Sequence, residues 1–213
     1  NGEALMSASL ECLCREVKFG KLPTLWLAKS YPSLKPLKSY IQDLIKRLKF
    51  FETWVLKGIP VVYWISGFFF TQAFLTGTKQ NHAREHIIPI DDICFNFEMM
   101  SKLTLRKKPK DGVYITGLFI EAATWDYEQK LLVENDIGVL TSLAPTIWLK
   151  PTTKDKEGRF PYNCPVYKTS DRRGELSTTG HSTNFVMKIR IPTEKSQLHW
   201  KQRGVAMLTQ EDF

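Results

Sequence analysis

The chain of 213 residues contains no G-x-x-x-x-G-K-[ST] stretch and no G-x-G-x-x-G after a strand-like run. The backbone amides that would cradle a nucleotide's phosphates are missing from the pattern, so ATP hydrolysis by this chain alone is not expected. It also lacks a G-x-S-x-G elbow, which removes the most familiar setting for a nucleophilic serine. Cysteine is scarce: Cys12, Cys14, Cys94 and Cys164 show no C-x-x-C spacing, and Cys12 and Cys14 are too close for a comfortable bridge. All four are expected to be reduced, buried thiols of a cytosolic protein. Long hydrophobic runs are missing as well. The densest, Ile59–Leu75, is interrupted by Pro60, Ser66, Gly67, Thr71 and Gln72, and falls short of the ~20 apolar residues of a spanning helix, so no membrane segment or membrane partner is expected. The opening NGEALMSASLE has no basic region ahead of an apolar run, and no signal peptide is read there.

What is present is an ordinary globular composition, 43% hydrophobic and 24% charged, long enough for one large domain or two small ones. The net charge of +8 is uneven. Residues 1–89 hold 12 Lys and Arg against 6 Asp and Glu, whereas residues 90–213 hold 18 against 16. The excess lies in the helical half, which weakens a nucleic-acid reading of the strand-rich half.

The pattern turns at Val61–Arg84, VVYWISGFFFTQAFLTGTKQNHAR. Residues before it read as helix, and nearly all after it as strand. Trp64, Phe68, Phe69 and Phe70 each bring roughly 150–250 Å² of buriable surface, so a core is expected to close there. Glu3–Phe19 is predicted helical, with Met6, Leu10, Leu13 and Val17 on one face and Gly20 as its C-cap. That helix has no convincing cap, and its apolar face is expected to meet a partner upstream in a longer chain. Pro23 opens a short helical turn, and SYPSLKP is a prolyl connector. The next helix runs from Pro36 to Lys57 and stops at Gly58. Its apolar stripe is Leu37, Tyr40, Ile41, Leu44, Leu48, Phe51 and Val55, opposite Lys38, Lys46, Lys49 and Lys57. A solvated face is the ordinary reading of those lysines, and a dock for an acidic surface the sharper one. Thr71 is expected to cap a helix Gln72–His86, with a close packing contact excusing Gly77.

Six strands are predicted beyond Pro89: Ile93–Met100, Gly112–Asp126, Thr146–Lys150, Cys164–Thr169, Asn184–Ile191 and Gly204–Thr209. Separated by polar turns and by no helix, they predict a small antiparallel barrel or sandwich, and hence an α+β chain. Four features could carry chemistry or binding. His82 and His86 lie four apart on one helix, without His-Glu-x-x-His order or an obvious third ligand, so an exposed helix end is expected and no metal. His181 sits among hydroxyls in STTGHSTNF without a partnering elbow, so a turn is expected rather than a hydrolase. Arg172 and Arg173 could grip a phosphate or carboxylate, although a charged hairpin tip is the ordinary reading. Aromatic strands could stack single-stranded nucleic acid, but they lack interleaved basic residues.

Five colinear blocks resemble the C-terminal region of dynein heavy chains: SYPSLKPL (Ser30–Leu37), YWISGFFFTQAFLTGTKQNHAR (Tyr63–Arg84), DGVYITGLFIEAATWD (Asp111–Asp126), CPVYKTSDRRGELSTTGHSTNFV (Cys164–Val186) and RGVAML (Arg203–Leu208). CPVYKTSDRRG followed by STTGHSTNF resembles the axonemal type, and Thr71 stands where many relatives carry Pro. The resemblance implies a region after the sixth AAA+ module of a minus-end-directed microtubule motor, lying across one face of its ring. It implies a junction helix in residues 1–20, a helical part in 21–89 and a six-stranded antiparallel β-barrel in 90–213. ATP and Mg belong to the AAA+ modules of such a parent chain; no cofactor, metal or catalytic residue is implied here. The implied partners are the ring modules of the same heavy chain and, through the motor, dynein intermediate and light chains and microtubules of a cilium or flagellum. Neither nucleic acid nor membrane is among them. Bracing the modules and tuning how nucleotide state passes between them is the expected role. Its candidate contacts are Lys38, Lys46, Lys49, Lys57, Arg172 and Arg173, with the apolar face of Glu3–Phe19.

Overall fold

The Ser7 hydroxyl accepts a 3.3 Å hydrogen bond from the Leu10 amide and so starts the first helix, α1 (Ala8–Lys18). The expectation of an uncapped helix from Glu3 is thereby corrected. The computed structural model describes residues 5–101, 105–153, 161–172 and 184–212, and Glu3 lies outside them. At the other end the Gly20 and Lys21 amides donate to the Val17 and Glu16 carbonyls, each at 2.9 Å, closing α1 with a Schellman pair. A short α2 (Thr24–Lys29) and the prolyl connector lead to α3 (Leu37–Lys57), bracketed by Pro36 and Gly58 as the sequence predicts.

The aromatic stretch forms a short strand β1 (Val62–Trp64), a 3-10 turn (Ile65–Gly67) and α4 (Thr71–His86). Thr71 is the first helical residue and is buried, while Phe70 occupies the cap position without a side-chain bond, so Thr71 is no cap. The expected contact at Gly77 is likewise absent among the described residues, because a Cβ placed there would meet nothing within 4 Å. The aromatics pack into a continuous half-buried cluster: Phe68 stacks on Phe74 with centroids 4.4 Å apart, Tyr63 lies 4.9 Å from Phe74, and Trp54 5.3 Å from Tyr63. That cluster joins α3 to the rest; the main core is elsewhere.

The main core lies between the sheets and includes Ile115, Ile120, Leu149, Ile189 and Trp200, joined by Ile65 and Leu75 from the helical half. Further strands are β2 (Cys94–Met99), β3 (Val113–Thr116), β4 (Phe119–Glu121), β5 (Thr124–Asp126), β6 (Leu131–Val133), β7 (Thr141–Leu143), β8 (Ile147–Thr152), β9 (Pro161–Tyr167), β10 (Phe185–Pro192) and β11 (Ala206–Leu208). They make a four-stranded sheet β1-β3-β8-β2, a five-stranded sheet β10-β9-β11-β4-β7 and the hairpin β5-β6. The pairs β1–β3 and β11–β9 are parallel. The fold is thus α+β with mixed sheets. Among the described residues there are eleven strands, and no closed barrel joins them, which corrects the six-stranded antiparallel barrel.

Two local causes account for part of that difference. The stretch predicted as one strand, Gly112–Asp126, breaks into three because Gly117 and Ala122 take left-handed backbone, with φ of +91° and +60°. At Gly117 a Cβ would lie 2.2 Å from Trp64 Cδ1, so the indole of β1 can pass over the backbone only at a glycine. The Ser66 hydroxyl also donates to the Gly117 carbonyl at this crossing. The expectation of strands without an intervening helix fails beyond β10, where Ser196 caps α5 (Gln197–Gln202) and Trp200 is buried.

Candidate docking surface

Helix α3 turns only Tyr40 and Arg47 fully inward. Half-buried Leu44, Phe50, Phe51 and Trp54 complete its packed side. Part of the predicted apolar stripe faces outward instead: Ile41 and Leu48 are exposed, Leu48 at 54%, and Val55 at 83%, joined by Ile45, which lies outside that stripe. Steps of three, four and seven residues place these side chains along one row. Lys38 and Lys49 are exposed at its flank by the same helical geometry, while Lys46 and Lys57 lie further round. The Lys46 ammonium stands 4.6 Å from the centre of the Trp64 ring, a cation–π position that ties it to the aromatic joint. Helix α1 has no buried residue; its Leu10 and Val17 are exposed, as is Met6 just ahead of it.

The residue that fixes α3 was not read as functional from the sequence. Arg47 is 2% exposed; its Nε donates to Asp43 Oδ2 at 2.6 Å and its Nη1 to the Phe68 carbonyl at 3.2 Å. Asp43 also accepts from the Tyr31 hydroxyl at 2.8 Å. Burial, then that hydrogen bond to Asp43, raises the Tyr31 phenol well above its usual range. The Asp43-Arg47 spacing of four was the available signal, but on a helix it looks the same as a solvent-facing pair.

Arg172 is occupied within the β part. It pairs with Glu121 and donates to the Gly204 carbonyl at 2.8 Å. Arg173 and His181 lie outside the described residues. His82 and His86 stack with ring centres 4.1 Å apart, and His82 meets Asp111, a partner that sequence distance concealed. Of the four cysteines, all free, only Cys164 is buried; Cys12 is exposed and Cys14 and Cys94 are half-buried, so the expectation of four buried thiols is corrected. No helix among the described residues is long and apolar enough to cross a membrane.

Helices α1 and α3 thus leave apolar residues uncovered on an α+β fold, and comparison with known proteins gives the family. The family model for the C-terminal domain of the dynein heavy chain matches residues 1–209, and this chain belongs to that family. It is 53% identical over 213 residues to dynein axonemal heavy chain 3 of Mus musculus, an alignment covering 99% of this chain and 5% of that protein. With dynein axonemal heavy chain 12 of Homo sapiens the identity is 50% over 212 residues, covering 99% and 7%. With dynein axonemal heavy chain 1 of Homo sapiens it is 48% over 215 residues, covering 100% and 5%. The chain therefore spans only a small part, 5–7%, of the length of these relatives.

Proposed function

We propose that this chain is the non-catalytic C-terminal domain of an axonemal dynein heavy chain, packing on the AAA+ ring of a ciliary or flagellar microtubule motor and regulating its motility. The observation that carries the reading is the uncovered row Ile41, Ile45, Leu48 and Val55 on α3, edged by Lys38 and Lys49. A contiguous apolar row of this kind marks an interaction face, and the flanking lysines favour an acidic rim on its partner. The lysines thus act at the border of an apolar contact rather than as a dock of their own. Lys46 and Lys57 would meet the same partner further round the helix. Arg172, already paired with Glu121, would contribute little to it. ATP, Mg, microtubules and the intermediate and light chains would be met by other parts of the parent motor.

Coupling requires that these contacts differ between states of the ring, because a domain bound equally well to every state shifts none of them. The test is charge reversal of Lys38, Lys46 and Lys49 together in the full motor, and separately Leu48→Glu. Altered ATPase rate, velocity or run length supports the reading. Unchanged values for both variants remove α3 from any docking role.

A further inference from the structure

We propose that His82, His86 and Asp111 form a binding site for a divalent transition ion of the zinc type. The three groups each offer a ligand atom within 4.8 Å of the others. Their hydrogen bonds decide which ring nitrogens are available. His82 Nδ1 lies 3.0 Å from both carboxylate oxygens of Asp111, and His86 Nδ1 lies 3.1 Å from the His82 carbonyl. A carboxylate and a carbonyl only accept, so each Nδ1 carries a proton, and in the neutral ring that leaves Nε2 with its lone pair. Neither Nε2 has a hydrogen-bond partner among the described residues. The rings are stacked one helical turn apart, 4.1 Å between centres and 29° between planes, so both Nε2 atoms reach one ion when the ring of His86, at the exposed helix end, turns out of this stack. Imidazole nitrogen suits zinc, copper and nickel rather than magnesium or calcium.

The surroundings favour a cation there. His86 is the last residue of α4, where unpaired carbonyls leave partial negative charge. Glu85 and Asp111 line the adjoining cleft of about 410 Å³, against the single cation Lys110. Asp111 is held firmly. Its carboxylate accepts from the Gly112 amide at 2.7 Å, and its carbonyl accepts from Trp148 Nε1 at 2.8 Å. Gly112 cannot be replaced without moving the sheet, since a Cβ there would lie 2.0 Å from the Leu149 carbonyl oxygen. A carboxylate that fixes the tautomer and aim of a ligand histidine is the usual outer support of a zinc site. The imidazoles would bind the ion directly, with water in the open positions and Asp111 orienting His82. Such an ion would bridge the last two turns of α4, and Asp111 would tie it through His82 to the turn before β3, in the same fold on which the docking reading rests but independently of it.

The test is calorimetric titration of the chain, stripped with chelator, with zinc chloride, alongside its melting temperature and magnesium chloride as control. One zinc per chain and a raised melting temperature are expected, with no response to magnesium. His86→Ala, at an exposed helix end, keeps the fold and should weaken zinc binding at least about tenfold; Asp111→Asn should weaken it about 10–100-fold. Cobalt binding should give a spectrum without thiolate charge-transfer bands. Zinc binding that is absent from the wild-type chain, or unchanged in His86→Ala, overturns the site. So does a cobalt spectrum showing cysteine ligation.

Discussion

The guanidinium carbon of Arg47 lies 3.7 Å from the centre of the Tyr31 ring, so the charge that secures α3 is sandwiched against the connector that precedes it. Tyr31 in turn stacks on Tyr40, with centroids 5.0 Å apart, and its hydroxyl shares Asp43 with Arg47. Aromatic stacking, a charge-assisted hydrogen bond and cation–π attraction meet at one place and set how α3 sits. Removing one member of such a buried pair leaves its partner's charge without compensation. Arg47→Met is therefore expected to cost about 3–5 kcal/mol in urea unfolding. The double variant Asp43→Asn/Arg47→Met should recover part of that loss, which a double-mutant cycle measures.

Tyr31 and Tyr162 predict an alkaline limit. Burial raises both phenols above the ordinary value of 10.0, with the Asp43 hydrogen bond adding to Tyr31. A raised folded-state pKa means that the native chain holds the proton more tightly than the unfolded one. The stabilisation is complete below pH about 10 and is lost as pH rises above it. Unfolding free energy measured between pH 8 and about 11 should fall at the alkaline end. Tyr162→Phe should flatten the fall while sacrificing the 2.7 Å hydrogen bond from its hydroxyl to the Val205 carbonyl. A decline of the same steepness in Tyr31→Phe and Tyr162→Phe would assign it to other groups.

How legible all this was in the sequence varies with the distance over which each feature is decided. Helix α3 is announced locally by Pro36 and Gly58, and its limits follow. Which side it buries is not local: periodicity picks out Ile41, Leu48 and Val55, but the structure sends Arg47 inward because Asp43, Tyr31 and the Phe68 carbonyl are there to receive it. Strand β1 pairs in parallel with β3, across about fifty residues, and no short-range pattern encodes that choice. The breaks at Gly117 and Ala122 were hidden because a run of β-forming residues continues on both sides of them. His82 and Asp111 are brought together by this same folding of α4 over the turn before β3, so the third member of their cluster was invisible from spacing alone.

Two glycines should respond in opposite directions. Gly77 lies inside α4 with open space where a Cβ would go, so Gly77→Ala should stabilise the fold by about 1 kcal/mol through helix propensity. Gly112 combines a φ of +72° with the Leu149 carbonyl in the path of any Cβ. Gly112→Ala should cost more than the ~1–2 kcal/mol of the left-handed backbone alone. Thermal unfolding of the two variants beside the parent decides both.

The thiols offer a direct probe of how tightly the β part is closed. Cys164 is fully buried on β9, and burial pushes its thiol far above the normal range, so the reactive thiolate is suppressed as well as screened. Cys12 is exposed on α1. Labelling of the native protein with an aromatic disulfide reagent should consume Cys12 quickly and Cys164 only when the fold opens. Denaturant sufficient to unfold the sheets should bring Cys164 to the rate of Cys12, and peptide mapping of the labelled sites reads the difference. Fast labelling of Cys164 in the native protein would mean that the packing around β9 opens well below the global unfolding free energy.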